Sequence, residues 1–308
     1  MKEYIGNVEL DYSYYDEKDV YNEGDEVEEK ILDTLKQTTD YRDHLNVIAG
    51  DDRWPILYQL SKQRENIIEP MEIGKEDEVL EIGAGMGAVT GAIASRAKHV
   101  DCVELSKRRS LANGYRNRTY NNIRIIVGNY QKIQLKKEYD VITLIGVFEY
   151  AQNYISGQNP YGDFLKDIYR NLKPGGKLYI AIENKLGMKY FAGCVEDHIG
   201  RSFAGIEGYD NESMVRTFTK SQLEQLLSDN GFCDLYFYYP YPDYKLPVQI
   251  YSDDYLPQKN DRLPAVTSYD LDRIVVFDEE KVFESLKGTE EIKVFFNSFL
   301  VEAVKINV

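Results

Sequence analysis

The stretch Val79-Leu80-Glu81-Ile82-Gly83-Ala84-Gly85-Met86-Gly87 decides the fold. Its apolar start, from Val79 to Ile82, predicts a short buried strand. Three glycines at alternate positions end that strand, and the Ala-rich stretch 88–94 predicts a helix packed closely on the sheet. Because glycines allow backbone angles and close approaches that a side chain would block, this unit offers bare backbone N–H groups and a helix N-terminus to a nucleotide-like ligand.

The spacing of acids and glycines limits the kinds of ligand that the loop is predicted to bind. A dinucleotide site has the pattern G-x-G-x-x-G, with its third glycine inside the helix. Here Glu81 stands two residues before Gly83, and Glu104 ends the next apolar run, 21 residues after Gly83. A carboxylate there accepts hydrogen bonds from both ribose hydroxyls. The pattern resembles motif I of the class I S-adenosylmethionine-dependent methyltransferases, and we therefore expect S-adenosyl-L-methionine as the cofactor.

The composition favours a small substrate over a nucleic acid. The 308 residues carry 37 basic and 52 acidic side chains, a formal net charge of -15. Such a surface repels phosphate backbones, so we expect a small-molecule or saccharide substrate and no nucleic acid partner. No apolar run reaches the length of a membrane span and the N-terminus lacks a signal sequence, which predicts a cytoplasmic protein. The three cysteines include no C-x-x-C pair and indicate neither disulfides nor a zinc site.

Two regions follow from the patterning of the chain. Residues 1–53 are acidic, and apolar residues at Val27, Ile31 and Leu35 predict an amphipathic helix, so we interpret this region as a helical N-terminal cap. Residues 54–308 alternate apolar strands with helices, which predicts an α/β, doubly wound, mostly parallel seven-stranded Rossmann-like sheet. The predicted strands are 78–82, 99–104, 123–127, 139–145, 177–182, 232–239 and 297–306, the last of them an antiparallel edge strand.

Two long connections interrupt the predicted domain. Residues 183–218 show little periodicity, and an irregular run of that length is usually a functional loop, so we interpret it as a lid. Residues 240–296 form a Tyr/Pro-rich insertion between the last two strands. Its tyrosines favour a ligand platform and a packing loop equally. The oligomeric state is left open, with a homodimer as one option.

The predicted cofactor site lies beyond the carboxyl ends of the strands, where ligands bind in open α/β sheets. The resemblance assigns the methionine moiety to Glu81 and the glycine loop, the ribose to Glu104, and the adenine to the residues after the third strand. Class I methyltransferases usually have an acid there, and Asn129 departs from that pattern. The predicted cofactor-binding residues are Glu81, Gly83, Ala84, Gly85, Gly87, Glu104, Leu105, Asn129, Tyr130 and Gly146.

The acceptor pocket is predicted from residues that follow the fourth and fifth strands and from the lid. A histidine is well suited to proton transfer near neutral pH, so His198 is a hypothetical general base, with a surface histidine as the alternative. The predicted catalytic residues are His198, Glu149, Tyr150, Glu183 and Asn184. The acids and the amide resemble the Mg²⁺ ligands of catechol-type O-methyltransferases, but the surrounding motifs differ, and we predict no metal.

Several stretches together resemble a bacterial subgroup of class I methyltransferases that often accompanies glycan-building modules. The stretches include 80–91, 103–109, 146–150, 182–190, 196–198, 205–209, 239–245 and 297–300. This resemblance implies O-methylation of a small-molecule or saccharide acceptor. The alternatives are a regulatory protein that holds the cofactor without methyl transfer and, less favoured, a nicotinamide-dependent oxidoreductase.

Overall fold

The computed structural model describes residues 1–17, 24–210, 212–263 and 273–306. The segments predicted as 1–53, 183–218 and 240–296 therefore include some residues that lie outside this description. In the described ranges the strands are β1 (Lys2–Ile5), β2 (Val8–Tyr14), β3 (Glu78–Ile82), β4 (His99–Glu104), β5 (Ile123–Gly128), β6 (Tyr139–Ile145), β7 (Leu172–Glu183), β8 (Phe232–Tyr241), β9 (Gln249–Ser252) and β10 (Ser298–Lys305).

Helices cover the sheet and supply part of the site. The α-helices are α1 (Asp25–Gln37), α2 (Tyr41–Ala49), α3 (Trp54–Leu60), α4 (Thr90–Ala94), α5 (Lys107–Arg116), α6 (Ala151–Tyr154), α7 (Pro160–Asn171), α8 (Met188–Phe191), α9 (Lys220–Asp229), α10 (Glu279–Leu286) and α11 (Ile292–Phe295). Three 3₁₀ helices lie at Lys62–Ile68, Tyr130–Lys132 and Phe148–Tyr150. Among the described residues, no helix is both long enough and apolar enough to cross a lipid bilayer.

The strands form one mixed sheet in the order β1-β2-β5-β4-β3-β6-β7-β10-β8-β9. From β2 to β7 every pairing is parallel, with Val79 opposite Val100 on one side and Val141 on the other. The chain runs outward from β3 through β4 to β5, then returns to the other side of β3 as β6. This reversal opens a crevice at the carboxyl end of β3, where open α/β sheets bind ligands.

The strands are held by apolar layers on both faces of the sheet. Successive residues of a strand point to opposite faces. Accordingly, Leu80 and Ile82 belong to one buried cluster, whereas Val79 belongs to a second cluster on the opposite side. This double burial explains why the central strands read as nearly continuous apolar runs. The predicted doubly wound α/β class is confirmed, with a larger and more mixed sheet than the seven strands expected.

The N-terminal region differs from the predicted helical cap. Lys2–Ile5 and Val8–Tyr14 form a hairpin that joins the sheet, with β2 parallel to β5. Val8 and Leu10 are fully buried on this strand. The amphipathic helix is present as α1, and its apolar side packs on α5. Residues 1–53 are thus partly an extension of the sheet, because the hairpin places these apolar side chains against its edge.

The last strand also differs from its predicted position. It is antiparallel, as expected, but it lies between β7 and β8 and not at the edge. Its residues Phe299, Leu300 and Val301 are fully buried, as an internal strand requires. The edge is formed instead by β9, which is part of the Tyr/Pro-rich insertion. The insertion therefore contributes the edge strand β9 as well as the helices α10 and α11.

Candidate active site

A cavity of about 380 Å³ lies at the carboxyl ends of β3, β4 and β6. Its size is that of a small-molecule site. Its walls come from α3, the first 3₁₀ helix, the loops after four parallel strands, the lid and the start of the insertion. The lining side chains include Trp54, Tyr58, Arg64, Glu81, Met86, Glu104, Leu105, Asn129, Tyr130, Val147, Glu149, Tyr150, His198, Tyr244 and Lys245.

The glycine loop after β3 requires backbone that only glycine adopts readily. Gly83, Gly85 and Gly87 have φ angles of +73°, +53° and +74°. A Cβ on Gly83 would lie 2.4 Å from a methyl carbon of Val147, whereas a Cβ on Gly85 would meet no atom within 4 Å. Gly83 is therefore needed for contact with the loop after β6, and Gly85 keeps the backbone bare where it faces the cavity.

Glu104 ends β4 with its carboxylate held by backbone amides. Gly85 donates its N–H to one oxygen at 2.8 Å, and Ser106 donates its N–H to the other at 2.9 Å. The side chain is 7% exposed and lines the cavity. Each carboxylate oxygen keeps a lone pair after one backbone bond, so the group has the capacity to accept two ligand hydroxyls. This geometry fits the ribose of an adenosine cofactor.

The Glu81 carboxylate contacts residues of α4 and β4, the two elements next to the glycine loop. One carboxylate oxygen accepts hydrogen bonds from the Thr90 hydroxyl at 2.7 Å and, more weakly, from the Cys102 thiol at 3.5 Å. Burial raises the pKa of Glu81 to about 7, an effect that these two hydrogen bonds and, less strongly, the Arg64 charge partly oppose. Through Thr90, the first residue of α4, this carboxylate ties the strand to the helix that follows the loop.

Arg64, from the first 3₁₀ helix, lines the cavity at the end near Glu81. The Arg64 guanidinium lies 3.8 Å from the centre of the Tyr58 ring, a cation–π distance. Its Nε and Nη1 atoms are buried and have no hydrogen-bond partner among the described residues. Buried guanidinium nitrogens are normally paired. Arg64 therefore offers two donors for a bound carboxylate next to the glycine loop.

At the opposite end, three residues from separate elements converge. Glu149 is on the 3₁₀ helix after β6, Glu183 ends β7, and His198 comes from the lid. The first two are 1% and 0% exposed. Burial and the neighbouring Glu183 charge raise the pKa of Glu149 well above its usual value. Burial also acts to raise the pKa of Glu183, but the Lys245 ammonium and the weaker positive charges nearby together outweigh it, and the net pKa is lowered.

A network of ion pairs supports this cluster from behind. The Lys245 ammonium is 2.6 Å from one Glu183 oxygen and 2.7 Å from Asp197. Lys189 bridges Asp197 and Asp243, with distances of 2.9 Å to each. These pairs connect the end of β7, the lid and the insertion. Because each charge is largely buried, loss of one partner would leave the other uncompensated.

The fold and geometry agree with comparisons to known proteins. The family described as a methyltransferase domain matches residues 56–235, more than half of the chain. The chain belongs to this methyltransferase family. Membership confirms the predicted family and, with it, S-adenosyl-L-methionine as the cofactor. The glycine loop, the amide-held Glu104 and the unpaired Arg64 nitrogens fit the loop, ribose and carboxylate contacts of that group.

Relatives among curated proteins match this methyltransferase over short stretches. A probable ribosomal RNA small subunit methyltransferase A from Pyrococcus abyssi is 39% identical over 72 residues, which are 23% of this chain and 26% of that protein. The ribosomal RNA small subunit methyltransferase A of Clostridium botulinum is 37% identical over 89 residues, or 28% and 32% of the two chains. The chain thus spans about a quarter to a third of the length of these relatives.

Solved structures share the fold at low identity. The phosphoethanolamine N-methyltransferase 1 of Haemonchus contortus, solved with phosphoethanolamine and S-adenosylhomocysteine, superposes with a TM-score of 0.50 at 15% identity. The match covers 92% of this chain and 49% of that one. A complex of a putative methyltransferase with a methyltransferase activator from Haloferax volcanii gives 0.50 at 16% identity, with coverages of 87% and 99%.

One expectation from composition is wrong. The net charge predicted that no nucleic acid would be a partner, yet the curated relatives are named as methyltransferases of ribosomal RNA. The inference failed because net charge averages the whole surface, whereas contact with a phosphate backbone depends on the charge around the site. Composition therefore does not exclude a nucleic acid acceptor for this methyltransferase.

Most of the predicted site residues meet at the cavity. Those that line it are Glu81, Gly83, Ala84, Gly85, Glu104, Leu105, Asn129, Tyr130, Gly146, Glu149, Tyr150 and His198. Glu183 lies behind this wall, within 3.4 Å of the His198 ring. The Asn129 oxygen accepts the N–H of Gln131 at 2.9 Å, so only its second lone pair remains for an adenine amino group. The catalytic and binding roles of these residues remain predictions.

Besides Glu183, two predicted site residues are not part of the cavity wall. Asn184 donates to the carbonyls of Val294 and Phe296 at 2.8 and 2.7 Å and accepts from Leu186 at 3.0 Å, so its amide serves the backbone after β7. Gly87 faces α5, where an added Cβ would lie 2.4 Å from the Asn113 oxygen. Asn184 is therefore structural, and Gly87 allows close packing of a helix.

Sequence reasoning missed the residues that close the cavity from outside the central sheet. Among the described residues of 1–53, none lines it; the covering wall begins with Trp54 on α3. Arg64 lies in a stretch with no predicted site residue. Apolar residues three or four positions away, Leu60, Ile67 and Ile68, were the available signal. Tyr244 and Lys245 fell in the Tyr/Pro-rich insertion and in one of the stretches of family resemblance, with no site role assigned. Their contact with Glu183 joins positions about 60 residues apart and left no local pattern.

We expect Glu81→Ala to weaken binding of S-adenosyl-L-methionine by about tenfold, close to the loss of one buried hydrogen bond to a charged group. The variant frees the Thr90 hydroxyl and loosens the join between β3 and α4. Isothermal titration of the purified variant measures the change. Glu76→Ala, which removes an exposed acid before β3, is the matched control. An affinity for Glu81→Ala equal to that of the control would remove Glu81 from the binding account.

Proposed function

We propose that this protein transfers the methyl group of S-adenosyl-L-methionine to a hydroxyl of a small acceptor, with saccharides and other small metabolites as the substrate class. The observation that carries the proposal is the buried group of Glu149, Glu183 and His198 next to the glycine-loop cavity. A cofactor-binding protein without enzymatic activity would not require such a group, because leaving polar atoms buried and unpaired is costly.

The cofactor half of the cavity is assigned from its donors and acceptors. When bound, S-adenosyl-L-methionine supplies an electrophilic methyl group on a sulfonium. Glu104 accepts the ribose hydroxyls, the amides of the glycine loop approach the chain of the cofactor, and Arg64 binds the methionine carboxylate. A charge-assisted, bidentate contact of that kind is among the stronger hydrogen-bonding arrangements. Asn129 and Tyr130 flank the adenine.

The acceptor half is assigned from the proton that an alcohol must lose. Much of the catalysis in an in-line methyl transfer comes from holding the acceptor lone pair opposite the bond that breaks. An alcohol also needs its proton removed, which a positioned side chain assists. His198 is the side chain proposed to remove this proton. Tyr150 positions it, since the Tyr150 ring packs against His198 with centroids 5.2 Å apart and the Tyr150 hydroxyl is 3.3 Å from Nδ1. That contact directs Nε2 of the imidazole towards the two carboxylates.

Ribosomal RNA is a second candidate acceptor, favoured by the names of the curated relatives. The acceptor side chains are buried, so an RNA nucleotide would have to leave its stack to reach them, as enzymes that modify bases require. The local identity of the relatives supports a shared cofactor site at least as directly as a shared acceptor, since it extends over only 72 to 97 residues.

A transfer assay with methyl-labelled S-adenosyl-L-methionine tests the proposal. The acceptor panel contains monosaccharides, nucleotide sugars, small hydroxylated metabolites and small-subunit ribosomal RNA. We expect label in a hydroxylated small molecule as an alkali-stable ether, and loss of that label in Glu149→Gln. Label in RNA alone would replace the proposed acceptor with the second candidate. Cofactor binding with no label in any acceptor would favour the regulatory alternative, and binding of NAD instead would favour an oxidoreductase.

A further inference from the structure

Three ligand-type atoms in the acceptor half lack hydrogen-bond partners among the described residues. They are Oε2 of Glu149, Oε2 of Glu183 and Nε2 of His198. The glutamates are 1% and 0% exposed, and the histidine side chain is 6% exposed. One ligand atom of each residue lies within 4.8 Å of the ligand atoms of the other two. Three unpaired atoms of this type at one buried point are unusual, because native proteins pair nearly all such groups.

Surrounding side chains contact the other polar atom of Glu183 and of His198, and leave Oε2 of Glu183 and Nε2 of His198 without a partner among the described residues. Lys245 and the Tyr244 hydroxyl contact Oε1 of Glu183, at 2.6 and 3.3 Å, which leaves Oε2 free. Nε2 of His198 is 3.4 Å from that oxygen but without hydrogen-bond geometry. The three side chains therefore enclose a point that the described protein atoms do not fill.

The charges around this point are unbalanced in the same direction. Glu183, Asp197 and Asp243 contribute three negative charges against the two ammonium groups of Lys189 and Lys245. One positive charge is therefore missing from the ion-pair network, and a second is missing when the adjacent Glu149 is ionised. Buried charges are costly unless they are paired or coordinate a metal. A divalent cation at the enclosed point would supply that balance.

We propose that Glu149, Glu183 and His198 bind a divalent transition-metal ion such as Mn²⁺. One imidazole with two carboxylates suits Mn²⁺, Fe²⁺ or Zn²⁺ better than Ca²⁺ or Mg²⁺, which prefer oxygen ligands alone. A cation bonded at about 2.1 Å to three ligands in a tetrahedral arrangement holds those atoms about 3.4 Å apart. From a spacing of 4.8 Å, each ligand atom therefore needs to move by less than about an ångström. The sequence predicted no metal, and the set differs from the one it resembled, because His198 takes the place of Asn184.

The ion would give the acceptor hydroxyl a defined position, and this consequence rests on the proposed function. Three protein ligands leave open coordination positions, as catalytic metal sites do. A hydroxyl bound there loses its proton to water more readily, since the cation stabilises the alkoxide. The alkoxide oxygen then forms the new bond to the methyl carbon while the carbon–sulfur bond breaks. The electron pair of the broken bond stays on sulfur.

Mn²⁺ binding to the full chain, stripped with a chelator and without cofactor or acceptor, tests the proposal. Electron paramagnetic resonance measures free Mn²⁺ during a titration with MnCl₂. We expect one saturable site per chain, with affinity reduced at least about tenfold in Glu149→Gln and in His198→Gln. Glu207→Gln, which changes an exposed acid of the lid, is the matched control and should bind as the wild type does.

Two outcomes would overturn the metal site. One is no saturable Mn²⁺ or Zn²⁺ binding to wild-type protein that unfolds cooperatively on heating. The other is binding that both site variants retain at full affinity while they unfold at the wild-type temperature. Either result leaves the proposed methyl transfer standing if labelled ether still forms after chelation, with His198 then acting directly on the proton. Mn²⁺ bound at the site with no acceptor methylated would instead contradict the proposed function alone.

Discussion

Arg64→Met is expected to weaken binding of S-adenosyl-L-methionine by about 10- to 100-fold, the range for loss of a charge-assisted hydrogen-bond pair to a carboxylate. Methionine keeps an apolar stem over the Tyr58 ring, on which the guanidinium now stacks at 3.8 Å. The charge and both unpaired nitrogens are lost. Because those nitrogens have no partner in the described chain, their removal breaks no internal hydrogen bond of their own.

A truncated ligand separates a binding role of Arg64 from a structural one. 5′-Methylthioadenosine has the adenosine and the sulfur but no amino acid group, so its affinity should be unchanged in Arg64→Met. Isothermal titration with both ligands makes the comparison. Arg42→Met, on the exposed face of α2 with a side chain that is 86% exposed, is the matched control. Equal losses of affinity for both ligands would show that Arg64 supports the shape of the cavity and does not bind the carboxylate.

His198→Ala should slow methyl transfer by about 100- to 10,000-fold while the dissociation constant of S-adenosyl-L-methionine changes by no more than about twofold. The imidazole belongs to the acceptor half, where it contacts Tyr150 and faces Glu183. The cofactor contacts assigned to Glu104 and Arg64 do not involve it. The expected loss therefore appears in kcat for the labelled acceptor, and titration of the cofactor measures the unaffected step.

The control for this variant is another histidine of the same chain. His99 begins β4, contacts Asp101 at 3.2 Å and does not line the cavity. His99→Gln should keep wild-type turnover, with any effect confined to stability. Turnover in His198→Ala within a few-fold of wild type would return His198 to the surface-histidine interpretation and leave the two glutamates without their proposed partner.

The central strands and the cofactor half were predictable because their signals are local. Val79 to Ile82 read as a buried run, the positive φ angles of the following loop fall on its glycines, and Glu104 ends the neighbouring strand at the same edge. The capping box of Thr219 and Gln222 that begins α9 is a local signal of the same kind. In each instance the structural feature is formed by residues that lie within a short stretch of the sequence, so the pattern in that stretch predicts it.

The parts that were missed depend on long-range packing or on weaker local signals. The N-terminal hairpin turns at Gly6, whose φ is +58°. A Gly-Asn pair between two stretches of alternating apolar and polar residues is a hairpin signal, and the sequence contained it. That signal was missed, because the acidic composition and the amphipathic spacing of residues 1–53 favoured a helical cap. No local pattern could place β10 between β7 and β8, since strand order is decided by how the insertion folds back.

The acceptor half shows the same limit at the level of side chains. Glu149, Glu183 and His198 were each predicted from their position after a strand or in the lid, and the structure brings them together. Asn184 was predicted with them because it follows Glu183. Consecutive residues at the end of a strand point in different directions, and Asn184 turns to the carbonyls before β10 instead. Position along a strand thus identifies candidates, while direction requires coordinates.

Titration of the purified protein with S-adenosyl-L-methionine, followed by the same titration of Glu104→Ala, tests the central claim most directly. The claim is that the glycine loop and the amide-held carboxylate of Glu104 bind the adenosyl group. The account predicts one site per chain with micromolar affinity, at least a tenfold loss in Glu104→Ala, and no heat with NAD. Binding of NAD without S-adenosyl-L-methionine, or full affinity in Glu104→Ala, would contradict it.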